Sequence, residues 1–109
     1  MADLHWNKAF ALEQTAGDEE LLEELLLLFK DSSASDLEQL RRAVGAGDAE
    51  EVVRAAHSLK GAAASLGIEG IRQLAMTMET DARQGSLAVA QEKLSLMAEL
   101  LDQLKNIEQ

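Results

Sequence analysis

Cysteine, proline and tyrosine are absent from this chain of 109 residues. Without cysteine, neither a disulfide nor a thiolate metal site can form. The two histidines, His5 and His57, lie far apart and supply no zinc-ligand set by themselves. Aromatic residues are limited to Trp6, Phe10 and Phe29. Basic residues are also scarce: 10 Lys and Arg stand against 20 Asp and Glu, for a formal charge of −10. Nucleic-acid binding needs a basic footprint, so neither nucleic acid nor an anionic membrane is an expected partner. The acidic N-terminus has no apolar h-region, so a secretory leader is not expected, and the expected location is cytoplasmic. No apolar run approaches bilayer length; the longest block is Leu25 to Phe29. There is no GxxxxGK[ST] loop and no glycine-rich strand-turn-helix, so a nucleotide site is not expected either.

What remains is rich in Leu, Ala and Glu, a helix-forming composition. The length fits one domain, residues 1–109, able to bury a single core. With proline absent, the breaks fall at Gly17-Asp18, Gly45-Ala46-Gly47-Asp48, Gly67 and Gly85-Ser86. They delimit a short first helix over residues 3–16, with Leu4, Phe10 and Trp6 facing inward. Four longer helices follow over residues 18–44, 48–66, 68–84 and 86–107. Asp48 suits an N-cap, Gly67 a left-handed C-terminal position, and Ser86 the cap of the last helix. Asp31-Ser32-Ser33 marks a place where the long second segment could kink. The last segment carries Leu87, Ala90, Leu94, Met97, Leu101, Leu104 and Ile107 at alternating three- and four-residue steps. That spacing and the short connections predict an all-α fold: an up-down-up-down four-helix bundle with a short additional N-terminal helix. Met76, Met78 and Met97 are expected to fill the core. The block Leu25 to Phe29 is apolar all round, with one face expected in the bundle and the other under the N-terminal segment or, as the alternative, serving a partner.

The segment 48–66 carries the chemistry. With Val52 set at zero on a helical wheel, Ala55, Ala56, Leu59, Ala62, Ala63 and Leu66 fall within roughly 80° and form the core stripe. His57 falls at about 140°, Ala64 at about 120°, Gly61 at about 180° and Lys60 at about 80°. The imidazole therefore points away from the core. Glycine within a helix costs about 1 kcal/mol relative to alanine. Gly61 faces outward, so core packing cannot be its purpose; close approach by another molecule can. Val53, Gly61 and Ala64 give a shallow strip with one imidazole in it. A neutral imidazole nitrogen is a competent nucleophile toward a phosphoryl group. Lys60, three residues on, can offset charge on the equatorial oxygens during transfer. His5 lacks such surroundings and reads as a surface residue. Arg54 reads as a solvent-side residue, paired with Glu50 or with nothing, and not as part of the site.

The run Ala56-His57-Ser58-Leu59-Lys60-Gly61-Ala62-Ala63-Ala64-Ser65-Leu66-Gly67 closely resembles the phosphoacceptor motif of histidine phosphotransfer (HPt) domains. The upstream Gly47-Asp48, Val52 and Ala55-Ala56 fit as well, as does the downstream run from Leu74 to Glu79, Ala82-Arg83 and Gly85. The resemblance implies His57 as phosphoacceptor, Lys60 as its phosphoryl-steadying cation, and Gly61 as room for the partner. Glu79 occupies a place where some members have Gln near the imidazole. The implied partners are a response-regulator receiver domain and a hybrid sensor histidine kinase. The implied chain is a monomeric phosphocarrier without a cofactor of its own, Mg²⁺ belonging to the receiver.

Two rival readings differ in what they require. The dimerisation and phosphoacceptor helix pair of a sensor kinase also presents a helical His. Its motif has an acidic residue directly after the His and a Pro farther on, whereas Ser58 follows His57 here. A non-catalytic helical adaptor would keep the fold without depending on His57.

Overall fold

The computed structural model describes residues 3–107. Five α-helices are formed: α1 Lys8–Gln14, α2 Glu19–Ala46, α3 Ala49–Ser65, α4 Glu69–Arg83 and α5 Ala88–Gln103. A 3₁₀ turn, Leu104–Asn106, follows α5. Helices α2 to α5 close into a ring. Helix α3 packs on α4 and α2, and α5 packs on α4 and α2. The result is an elongated four-helix bundle of 42 × 22 × 22 Å.

The connections follow from their capping residues. Asp18 accepts a hydrogen bond from the Leu21 amide and starts α2, with Glu19 and Glu20 at the positive end of the helix dipole. Gly47, at φ 68°, ends α2, and the Asp48 amide donates back to the Ala43 carbonyl at 2.9 Å. Asp48 then caps α3 through the Glu51 amide. Two residues thus reverse the chain, as expected. Gly67, at φ 70°, closes α3 in the same way, with the Ile68 amide on the Ala63 carbonyl at 3.0 Å.

The lead segment differs from the expected helix over 3–16. Residues 3–7 form no helix, with His5 at φ 51°, and Trp6 forms an isolated bridge with Ile68. The cause lies at the start of α4, which has no side-chain cap. Its first amides are satisfied by this strap instead: Gly70 N–H donates to the Leu4 carbonyl at 2.7 Å and Glu69 N–H to the His5 carbonyl at 3.3 Å. The strap also satisfies carbonyls beyond α3, Trp6 Nε1 donating to Leu66 and the Asn7 amide to Gly67. Gly70 makes the approach possible, since a Cβ there would lie 2.5 Å from the Asp3 carbonyl oxygen. Leu4 is buried and Trp6 half-buried, but Phe10, expected inward, is exposed.

Four further expectations are corrected. Helix α2 runs unbroken through Asp31-Ser32-Ser33, where the Ser32 and Ser33 hydroxyls donate to the Phe29 and Lys30 carbonyls of the same helix and so do not compete for its backbone amides. Ser86 does not itself occupy the N-cap of α5. Its hydroxyl takes the Ala88 amide while the Asp81 carboxylate of α4 takes Val89 N–H at 3.0 Å. Of the methionines, Met78 and Met97 are fully buried but Met76 is exposed. The Leu block buries Leu26 and Phe29, yet Leu27 and Leu28 stay exposed at 57% and 64%. The N-terminal segment does not cover them.

The α3–α4 contact is built from small side chains. Ala55, Ala56 and Ala63 of α3 and Ala75 and Ala82 of α4 are all buried. Alanines on facing helices allow the axes toward the short end of the usual 8–10 Å separation. That closeness sets the distance between the groups described next.

Candidate functional site

His57 lies near the middle of α3 with its side chain 63% exposed. Gly61, one turn on, is exposed, and a Cβ placed there would meet nothing within 4 Å. Val53 and Ala64 are half-buried at the edges of the same face. The outward strip expected from the helical wheel is therefore present. His5, by contrast, sits in the N-terminal strap with its ring exposed beside Asp3. Arg54 pairs with Glu50 and Glu51 on its own helix.

The imidazole is exposed but not free to turn. Its Nδ1 lies 3.0 Å from Oε2 of Glu79 on α4, whose side chain is only 4% exposed. Glu79 also receives Lys60 Nζ at 2.7 Å on Oε1 and an Arg83 guanidinium nitrogen at 2.6 Å on Oε2. Burial pushes the Glu79 carboxyl up, but the hydrogen bonds from Lys60, Arg83 and His57 outweigh it and hold the group at about 2. Glu79 is thus ionised at neutral pH, and an ionised carboxylate only accepts. The proton of the neutral ring must then sit on Nδ1. The Nε2 lone pair is left on the solvent side of the ring.

On the opposite flank of α3, Ser58 Oγ donates to Asp36 Oδ2 of α2 at 2.7 Å. Burial raises the Asp36 carboxyl, and the Ser58 hydrogen bond acts against it. The His57 turn is thereby tied to both neighbouring helices. Elsewhere on α3, a groove of about 520 Å³ lies against α2, lined by Leu25, Leu28, Ala62 and Ser65 among others.

The structure brings His57, Lys60 and Glu79 together and leaves Val53, Gly61 and Ala64 as the open surface around them. Lys60, on the same helix as the ring, is paired with Glu79. Asp36 had no place in the sequence analysis, and Arg83 appeared there only in the family run, without a role. Arg83 had a readable signal, since it follows Glu79 by one helical turn. Asp36 had none, because it meets Ser58 only through the packing of α2 on α3.

Comparison with known proteins bears on the family and the fold. The family model for the Hpt domain matches residues 24–107. Among solved structures, histidine-containing phosphotransfer protein B (HptB) from Pseudomonas aeruginosa PAO1 superposes with a TM-score of 0.84 at 26% identity, over 92% of this chain and 87% of its own. The HPT domain of a sensor hybrid histidine kinase from Shewanella superposes with a TM-score of 0.78 at 24% identity, over 95% of this chain and 94% of its own, a likeness of fold. No curated protein matches the chain. With the family model spanning most of the sequence, the chain belongs to the Hpt family, the histidine phosphotransfer domains of two-component phosphorelays.

Proposed function

We propose that His57 carries the phosphoryl group, bound at Nε2, and exchanges it with an aspartate of a response-regulator receiver domain. One observation carries this reading above the others: an exposed imidazole whose Nδ1 is held by a buried carboxylate. An incidental surface histidine has no reason to be so anchored.

The step is an in-line displacement. The Nε2 lone pair attacks phosphorus as the P–O bond to the receiver aspartate breaks, and that aspartate leaves as a carboxylate. The proton stays on Nδ1, so the phosphorylated ring becomes an imidazolium facing ionised Glu79. Glu79 thus offsets the positive charge that develops on the ring, without movement at the moment of reaction. Lys60 reaches the phosphoryl oxygens from one turn along the helix. Return of the group to a receiver reverses these changes.

The strip of Val53, Gly61 and Ala64, with the groove between α2 and α3, is the receiver's docking face. In this reading Mg²⁺ acts in the receiver's aspartate pocket, and phosphate comes from that partner rather than from a nucleotide bound here. The net charge of −10 supports a monomeric carrier with no nucleic-acid partner, and its proposed location is the cytoplasm. Incubation with a phosphorylated receiver domain tests the reading. Acid-labile, alkali-stable label is expected on the wild type and not on His57→Gln. Label that survives His57→Gln would remove His57 from the mechanism, and no label from several competent receivers would favour the adaptor.

A further inference from the structure

Glu79 is one buried carboxylate with three donors, two of them cations. Lys60 Nζ serves Oε1 alone, at 2.7 Å. His57 Nδ1 and Arg83 share Oε2, at 3.0 and 2.6 Å. The same Lys60 is the cation required at the phosphoryl group once His57 is loaded. It cannot stay centred on Oε1 and also neutralise the phosphoryl oxygens. As Lys60 swings outward, Oε1 loses its donor inside the bundle. A buried carboxylate left short of a partner is costly.

We infer that Arg83 is a positioning residue which keeps Glu79 ionised and aimed at Nδ1 while Lys60 moves between Glu79 and the phosphoryl group. This rests on the reading of His57 as phosphoacceptor. Arg83 suits the task in three ways. It comes from α4, the helix that carries Glu79, one turn on, so the pairing does not depend on α3 moving. Its guanidinium presents several N–H groups in a planar fork, so the second carboxylate oxygen can be taken up without breaking the first contact. Its side chain is 59% exposed against 31% for Lys60, so little packing is lost when it adjusts. The surplus of cations in the resting site then has a purpose: one is stationary and one is exchangeable. An amide at position 79 would carry no charge and need no stationary cation. The acid at position 79 and Arg83 are therefore linked.

The experiment is a double-mutant cycle on the full chain with Arg83→Ala, Glu79→Gln and the pair, plus Arg83→Lys, each checked for wild-type helicity by circular dichroism. Phosphoryl uptake from a phosphorylated receiver is timed, and ¹⁵N shifts of the His57 ring report its tautomer. Arg83→Ala should slow uptake by about tenfold, the scale of one charge-assisted hydrogen bond. It should also move the ring away from the pure Nδ1–H tautomer. Arg83→Lys should restore most of both. In the Glu79→Gln background, Arg83→Ala should add nothing. Wild-type rate and ring shifts in Arg83→Ala would overturn the inference. So would an equal loss in both backgrounds, which would place Arg83 on the phosphoryl group or the receiver instead. Should the wild type take label that persists in His57→Gln, the phosphoacceptor reading itself fails, a result separable from both.

Discussion

Replacing Gly61 separates what the fold wants from what the partner needs. Gly61 lies inside α3 and is not in a left-handed conformation, and a Cβ there meets nothing within 4 Å. Alanine should therefore fit without strain and recover the helix propensity that glycine forfeits, about 1 kcal/mol. For a domain of this size that is about 4–6 °C in Tm, read by thermal denaturation followed at the helical circular dichroism band. Phosphoryl transfer should move the other way. A side chain on the bare strip holds the receiver off the imidazole, and a misplacement of about 1 Å can cost about a hundredfold in rate. Gly61→Ala should slow uptake from a phosphorylated receiver by about tenfold, and Gly61→Leu by about a hundredfold. Gly45, near the end of α2, is the control: its Cβ position is also open, so Gly45→Ala should stabilise slightly and leave transfer alone. The reasoning is refuted if Gly61→Leu folds stably and transfers at the wild-type rate, because the strip would then not need to be bare.

Gly70→Ala should do the opposite to the fold. Its Cβ would lie 2.5 Å from the Asp3 carbonyl oxygen and 2.8 Å from that of Leu4, so the strap must lift and two amide bonds to α4 weaken. A loss of about 2–4 kcal/mol is expected in urea denaturation, with faster hydrogen exchange at the Glu69 and Gly70 amides. Glu79 sets a pH dependence of stability. Its folded pKa of about 2 lies below the ordinary glutamate value of 4.5, so its contribution is fully present above about pH 5 and is lost as pH falls toward 2. Allowing for the solvent exposure of Lys60 and Arg83, about 1–2 kcal/mol should disappear over that window in the wild type and not in Glu79→Gln, measured by chemical denaturation at each pH. Leu28 lines the groove between α2 and α3 and Leu27 does not, though both are exposed. Leu28→Ser should weaken receiver binding by calorimetry while Leu27→Ser leaves it unchanged, neither altering stability by more than about 0.5 kcal/mol.

The boundaries of α2 and α3 were legible because they rest on local chemistry. Asp18, Asp48, Gly47 and Gly67 act through backbone groups within a few residues of themselves. The lead segment was not legible in the same way. Residues 3–16 carry helix-compatible spacing, but the unsatisfied amides of Glu69 and Gly70 outweigh that preference for residues 3–7. The competing groups lie more than sixty residues away, beyond the reach of any local pattern. The exposure of Leu27, Leu28 and Met76 escaped for a related reason: an apolar residue declares a preference for burial, and the bundle has only so much interior.

The sequence by itself determined the outward imidazole. The positions of Val52, Ala56, Leu59 and Ala63 leave His57 and Gly61 no other face, because helical periodicity is a property of the backbone. Glu79 was within its reach only as a neighbour of unsettled role. The tertiary structure decided that Glu79 is buried, ionised and shared among His57, Lys60 and Arg83, and hence which ring nitrogen faces outward. That arrangement depends on how closely the alanine faces of α3 and α4 approach, and on a hydrogen-bond balance that exists only once both helices are in place.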